Sequence, residues 1–450
     1  MPLDDRDGAA ESSVAASVPV TLGSVAGVWW PLALSWLLMG VEQPLISAIV
    51  ARLPAAETNL AAYGGVVFPM ALVIEAPVIM LLAASTELSR DAPAYQALGR
   101  FTNKLGAILT VVHLLIVATP AYDVLVGDVL SVPVAAHADA RVGLWCMLPW
   151  TWSIASRRFH QGALIRFGRA RAVTRGTGVR LATSATVLTV GFVTGVLPGV
   201  AVGACALSAG VIAEALYAAV AVRSVVAGPL QTAKIHGPVL RGAEFVRFYV
   251  PLAMMPIVAL VVLPIGAAAL SRMPDPMASL AVWPMVSSLL FVLQTFGLAY
   301  NEVVVAQLDH RDAKPVLRRF TMLLVVGSTV ALTLLSLPIV AHGWFSVVAG
   351  LDADLTSRAV AVLWIGIPIP AMRALQSWYQ GQLVHARRTR AVSEAVAVFA
   401  IVDVTILVSG VTWSWAPGLA VALVAFSAAR VLQTVWLVAR TTAVLGTARS

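Results

Sequence analysis

Apolar runs about twenty residues long alternate with short polar breaks along almost the whole chain. A helix of that length crosses the hydrocarbon core of a bilayer. Twelve spans are expected, at 27–50, 61–85, 102–122, 142–164, 180–198, 200–222, 246–270, 278–302, 319–340, 359–382, 392–411 and 417–439. Within most of them all faces are apolar, so helical period adds nothing further. The polar stretch from Gly228-Pro229 through Gly237-Pro238 to Gly242 has linker composition and separates six spans from six. The expected organisation is a polar tail over 1–24, a six-helix lobe over 25–226, a linker over 227–243, a second six-helix lobe over 244–440 and a tail over 441–450. Asp4, Asp5, Asp7 and Glu11 make the start acidic, unlike a cleavable signal, so the first span is expected to be retained.

The polar breaks alternate in charge. Arg90, Arg100 and Lys104 follow the second span. Arg157, Arg158, Arg166, Arg169, Arg171, Arg175 and Arg180 close the fourth and lead to the fifth. Arg223, Lys234, Arg241 and Arg247 mark the linker region, and Arg311, Lys314, Arg318, Arg319, then Arg387, Arg388 and Arg390, mark two later breaks. The opposite breaks carry only Arg52, Arg141, Arg272 and Arg358. By the positive-inside rule both termini are expected in the cytoplasm, with the chain in the plasma (inner) membrane.

The two halves share a pattern at a nearly constant offset. Phe159–Val173 reads FHQGALIRFGRARAV, and Trp378–Val392, 219 positions on, reads WYQGQLVHARRTRAV. Gln161-Gly162 falls on Gln380-Gly381, and Pro198-Gly199 on Pro417-Gly418. At an offset of 220, Pro31-Leu32-Ala33 falls on Pro251-Leu252-Ala253, and Arg52 and Pro54 fall on Arg272 and Pro274. Each repeat has an even number of spans, so the halves face the same way, related by an axis along the membrane normal. The fold class is therefore an all-α polytopic membrane protein of twelve helices in two lobes.

Composition agrees: 59% of residues are hydrophobic and 12% charged, against about 45–50% and about 25% in soluble domains. The net charge of +8 sits beside spans, so orientation and anionic lipid account for it and no nucleic-acid partner is expected. Cys146 and Cys205 fall inside spans, which argues against a structural disulfide. No zinc spacing and no nucleotide-binding loop is present, so no metal, cofactor or ATP-driven cycle is expected.

Gly40-Val41-Glu42-Gln43 followed by Ala62-Tyr63-Gly64, and Pro368-Ile369-Pro370 followed by Arg373 and Gly381, resemble the progressive-ankylosis (ANK) family. That family belongs to the multidrug/oligosaccharidyl-lipid/polysaccharide (MOP) superfamily, with the MATE antiporters and lipid-linked flippases. The likeness covers roughly spans 1–2 and 8–12. It implies twelve helices in two lobes, a central cleft and export by rocker-switch alternating access. Phe248–Leu270 lacks the acid that some MATE transporters carry in span 7. By likeness, a coupling-ion site would then lie in the first lobe, with Glu42 the matching acid.

An ionised side chain at the centre of a bilayer costs about 2.5–3.5 kcal/mol on insertion scales, so such groups should face the protein interior or a wet cavity. The odd-numbered spans carry Glu42, His113 and Asp403. The even-numbered ones carry Glu75, Arg157, Glu214, Gln294, Arg373 and Arg430 at a similar depth, roughly 20 Å from their starts. Glu42 beside Pro44 combines a carboxylate with a freed carbonyl, which suits a proton or sodium ion, or is a plain kink. Glu75 beside an arginine, and Asp403 beside Arg430, are candidates for structural pairs. His160, Gln161 and Gln380 are placed at the cytoplasmic mouth. Arg157 and Arg373 are expected to face each other across the cleft, with Arg373, Arg157, Gln294, Glu75 and Glu214 lining a substrate site. The carboxyl-terminal lobe has Gln294 where its repeat partner has Glu75, which leaves Arg373 without a neutralising acid. Arginine's planar fork suits carboxylate or phosphate.

The expected function is secondary active export of a small anionic or zwitterionic molecule by a monomer, driven by a proton or sodium gradient and in contact with membrane lipids. A lipid-linked flippase or a multidrug/cation antiporter shares the fold and is the alternative. An integral-membrane transferase is the lesser one, because its metal-diphosphate acids are missing near a membrane face. The paired acids Asp123/Asp128 and Asp352/Asp354 lie in the opposite loops without basic support.

Overall fold

The computed structural model describes residues 20–233, 242–308, 310, 313–386, 388 and 390–446. Most of the expected amino-terminal tail, the linker cations Lys234 and Arg241, and Arg311 and Arg387 lie outside the described residues.

Among the described residues there is no strand, and the long helical segments follow the expected order. Span 1 is Leu22–Val50, span 2 Ala56–Leu88, span 3 Ala92–Ala118, span 4 His137–Arg166, span 5 Ala170–Thr194 and span 6 Gly199–Ala221. Span 7 is Gly242–Ser271, span 8 Pro276–Gln307, span 9 Ala313–Leu335, span 10 Ala353–His385, span 11 Arg390–Trp413 and span 12 Gly418–Gly446. Most run several residues past the expected ends, because polar residues extend a helix beyond the apolar run that sequence detects. Among the described residues nine helices are long and apolar enough to cross a membrane by themselves. Spans 4 and 5 fall short because arginines lie within them. Spans 3, 9 and 11 present rows of exposed apolar side chains, such as Ile108, Val111 and Leu115, Leu323 and Val326, and Ile401 and Val408. A surface of that kind needs lipid around it.

The breaks in regular helix have local causes. A π-turn at Tyr63–Val67 interrupts span 2 ahead of Pro69. In span 10 a 3₁₀ turn, Trp364–Gly366, precedes Pro368, which lacks an N–H and disfavours helical geometry just before it.

Contacts recur at the same offset as the sequence. Gly191 lies where an added Cβ would sit 2.5 Å from Val202, and Gly410 lies the same distance from Val421, its partner 219 positions on. Trp29 Nε1 of span 1 donates to the Phe296 carbonyl of span 8 at 2.9 Å. Tyr249 Oη of span 7 donates to the Pro77 carbonyl of span 2 at 2.5 Å. These two bonds are repeat equivalents, and both cross from one six-helix lobe to the other. The lobes therefore meet along spans 1 and 8 and along spans 7 and 2.

Candidate functional site

The buried charges of the first lobe pair with one another. Arg157 and Gln161 stand one turn apart on span 4, so they share a helix face. Both reach Glu214 of span 6: Arg157 Nη1 lies 2.7 Å from Oε2 and Gln161 Nε2 2.9 Å from Oε1. Thr177 Oγ1 of span 5 donates to the same carboxylate at 3.4 Å. Arg180, also on span 5, grips Glu42 of span 1 through two nitrogens, Nε at 3.1 Å and Nη2 more closely, and Ser184 Oγ donates to Glu42 at 2.9 Å. Arg180 Nη1 also lies 3.8 Å from Glu214 Oε2. Arg158 Nη2 pairs with Glu75 Oε1 of span 2 at 3.0 Å. Glu42, Glu75, Arg157 and Glu214 are all at most 6% exposed. The cluster holds three arginines and three glutamates, a neutral set joining spans 1, 2, 4, 5 and 6.

The second lobe places amides where the first places charges. Gln376 and Gln433 lie 219 positions after Arg157 and Glu214, and they make the equivalent bond: Gln376 Nε2 donates to Gln433 Oε1 at 3.1 Å. Gln376 Nε2 also donates to Thr434 Oγ1 at 3.1 Å. Phe399 falls on Arg180, Asp403 on Ser184 and Gln294 on Glu75. Beside these amides stand one acid, Asp403, and two cations that the first lobe lacks at these positions, Arg373 of span 10 and Arg430 of span 12. Each donates from Nη1 to the one oxygen Gln376 Oε1, at 3.4 Å. Arg430 Nη1 also donates to Gln433 Oε1 at 3.2 Å. The Arg430 guanidinium lies 4.7 Å from the centre of the Phe399 ring and 4.9 Å from that of Phe426.

Among the described residues no carboxylate lies within 4.0 Å of either guanidinium; Arg430 Nε has no hydrogen-bond partner, which is equally true of Arg157 Nε and Arg158 Nε in the first lobe, so the lobes differ in the missing carboxylate. Asp403, 5% exposed on the neighbouring span 11, is the nearby acid, and it does not close on Arg430 as the expected pair. Arg430 spends its charge on the two rings instead; such contacts are worth about 0.5–2 kcal/mol. Two cations sharing one acceptor oxygen repel by roughly 2–3 kcal/mol at an effective dielectric of about 20. Arg373 and Arg430 are half-buried as whole residues, and Arg430 Nε is buried.

Several expected placements change. Arg157 and Arg373 do not face each other: each turns into its own lobe, Arg157 toward Glu214 and Arg373 toward Gln376. Gln161 belongs to the Glu214 cluster, not to a mouth, because the face that carries Arg157 carries it too. Gln294 Nε2 bonds back to the Leu290 carbonyl of its own helix at 3.3 Å. His160 Nδ1 lies 3.4 Å from Ser156 Oγ, and His113 Nδ1 2.9 Å from Thr151 Oγ1, so both have local partners. Gln380 is half-buried near the end of span 10. Among the described residues no group of His, Cys, Asp and Glu side chains could hold a metal ion. Sequence reading missed Arg180 and Arg158 as partners, taking them for orientation charges. It also missed Gln376 and Gln433, which the repeat offset could have found.

No family model matches the chain, and no curated protein does. Solved structures do. A multidrug resistance MATE family transporter of the MOP superfamily, in an inward-facing conformation, aligns over 95% of this chain and 100% of its own, with TM-score 0.63 and 12% identity. The lipid II flippase MurJ, in an inward closed conformation, aligns over 92% of this chain and 87% of its own, with TM-score 0.70 and 13% identity. A MOP superfamily transporter from Pyrococcus furiosus with a binding pocket of reversed polarity aligns over 93% and 96%, with TM-score 0.61 and 12% identity. This chain has the MOP-transporter fold. At these identities the likeness is one of architecture: twelve helices in two lobes.

Proposed function

We propose that the chain is a MOP-type secondary transporter that moves a small anionic or zwitterionic molecule by alternating access, with Arg373 as its main contact. The observation that carries this reading is the difference between two repeat-equivalent interiors. One is neutral and internally paired; the other holds two arginines without a paired carboxylate. An arginine left unpaired at membrane depth is costly unless a ligand or water completes it. A cation substrate would meet the opposite of what it needs there. The local likeness to the ANK family belongs to this proposal, as do export as the direction and the inner membrane as the location.

Coupling is assigned to Glu42. Its carboxylate is held by Arg180, which also lies near Glu214, so Arg180 has a second acid to turn to when Glu42 takes up a proton or sodium ion. Glu75, Arg157 and Glu214 are assigned to holding the first lobe together and not to contacting substrate. The test is flux in proteoliposomes of small anions and small cations, with and without a proton or sodium gradient. Saturable anion flux that is lost in Arg373→Gln is expected. Anion transport unchanged in Arg373→Gln, or a preference for cations in the unmodified protein, would sink the reading.

A further inference from the structure

The second lobe's arginines are arranged to converge. Both reach one oxygen, Gln376 Oε1, from different helices, so their Nη1 atoms lie no more than twice 3.4 Å apart. Phe399 and Phe426, packed edge-to-face on each other at 5.5 Å, both lie against the Arg430 guanidinium. Gln376 Nε2 and Thr434 Oγ1 add polar groups beside them. A single carboxylate would neutralise only one of the two cations. A ligand with two charges on one compact group would neutralise both and use both forks.

We propose that this cluster binds a doubly charged oxyanion, a phosphate monoester in its simplest form, inside the carboxyl-terminal lobe between Arg373 and Arg430. This rests on the anion-transport reading and deepens it: the ligand sits within one lobe, not across the cleft between Arg157 and Arg373. The first lobe supplies the control. There Glu214 occupies the position of Gln433 and Arg157 is already paired. Gln433→Glu would give Arg430 the same internal partner.

The experiment is thermal unfolding of the purified protein in neutral detergent with inorganic phosphate, sulfate or acetate. Phosphate and sulfate are expected to raise the midpoint of the unmodified protein, and acetate to do so at least tenfold less effectively. Gln433→Glu is expected to raise the midpoint without ligand and to abolish the phosphate response. Arg430→Lys, which keeps the charge, is expected to weaken phosphate at least tenfold. An undiminished phosphate response in both variants, or acetate as effective as phosphate, overturns the site. Phosphatidic acid in the same micelles separates the sources: competition with phosphate identifies a lipid headgroup, and its failure to compete identifies a soluble ligand. If Gln433→Glu loses phosphate binding but no anion is transported, the transport reading fails and the site stands. If anion flux persists unchanged in Gln433→Glu, the site fails and the transport reading stands.

A separate observation concerns the arginine-poor face. Arg52 follows span 1 and Arg272 follows span 7, and the two are repeat equivalents. Arg52 Nη2 donates across the lobes to the carbonyls of Val348, at 3.0 Å, and Val347. Arg272 Nη2 donates across in the other direction to the carbonyls of Val129, at 2.8 Å, and Asp128, at 3.1 Å. Each acceptor pair ends a π-helical turn, Trp344–Val348 or Val124–Val129, where outward-pointing carbonyls carry partial negative charge. Each arginine also braces Nη1 on its own helix, at Ala48 or Ala268. Gly350 lies against Arg52, where an added Cβ would come within 2.6 Å of Nη1.

We infer that the two arginines form a symmetric latch that holds the cleft shut on this face and opens as a pair when the lobes rock. The test uses Thr295→Cys, on span 8 beside Gly40 of span 1, with Cys146 and Cys205 replaced by serine. A membrane-impermeant maleimide is added to the arginine-poor face of sealed vesicles. Arg52→Gln with Arg272→Gln together are expected to speed labelling at least fivefold, and either alone by less. An unchanged rate in the double variant overturns the latch.

Discussion

Replacing Glu214 by glutamine keeps the shape of the side chain and removes its charge. Arg157, 6% exposed, then loses its paired anion at 2.7 Å while remaining buried. Breaking a buried pair from one side costs about 3–5 kcal/mol, chiefly because the remaining charge is stranded. Arg157→Gln strands Glu214 less completely, since Gln161, Thr177 and Arg180 still face it. The double variant should behave differently. It recreates the amide pair that the second lobe already uses, Gln376 to Gln433 at 3.1 Å, and a neutral hydrogen bond of that kind nets about 1 kcal/mol. The double variant is therefore expected to be more stable than Glu214→Gln alone, with a coupling of about 2 kcal/mol or more between the sites. Denaturant or thermal unfolding in mixed micelles reads all four proteins of the cycle. A cost below 1 kcal/mol for Glu214→Gln, or additive costs in the double variant, would refute the view of this pair as charge neutralisation.

Two further outcomes follow from the same geometry. Glu42→Gln should abolish gradient-driven transport while downhill flux and expression persist; full gradient-driven activity would remove Glu42 from the coupling role. Gly191→Ala and Gly410→Ala should each lower stability by about 1–3 kcal/mol through overpacking against Val202 and Val421, and equal thermal midpoints for variants and parent would show that these contacts yield without cost.

The fold is largely legible in the sequence. Apolar length set the spans, and the offset between Gln161-Gly162 and Gln380-Gly381 set the duplication. The four exceptions to the arginine bias, Arg52, Arg141, Arg272 and Arg358, turn out to have structural partners. Arg141 reaches the carbonyl of Val117 and stacks on Tyr122, and Arg358 pairs with Asp275 and Asp354, while the other two bridge the lobes. The site was legible only in part. Depth along a helix is readable from residue number, so the layer of intramembrane polar groups was visible. Azimuth is not readable when every face is apolar, so Arg157 was aimed across the cleft when it points to span 6. Arg180 was hidden among loop arginines because span 5 begins with a run of them. Reading the offset one step further, from Arg157 and Glu214 to Gln376 and Gln433, would have exposed the difference in charge between the lobes.

The central claim is that an unneutralised arginine pair in the second lobe carries a small oxyanion through alternating access. Counterflow tests it most directly: proteoliposomes loaded with unlabelled anion are diluted into a trace of the labelled one with no ion gradient. The account predicts transient accumulation of label above equilibrium in the unmodified protein, and none when Arg373 and Arg430 are both replaced by glutamine. Accumulation that survives the double replacement, or counterflow of organic cations in place of anions, would contradict it.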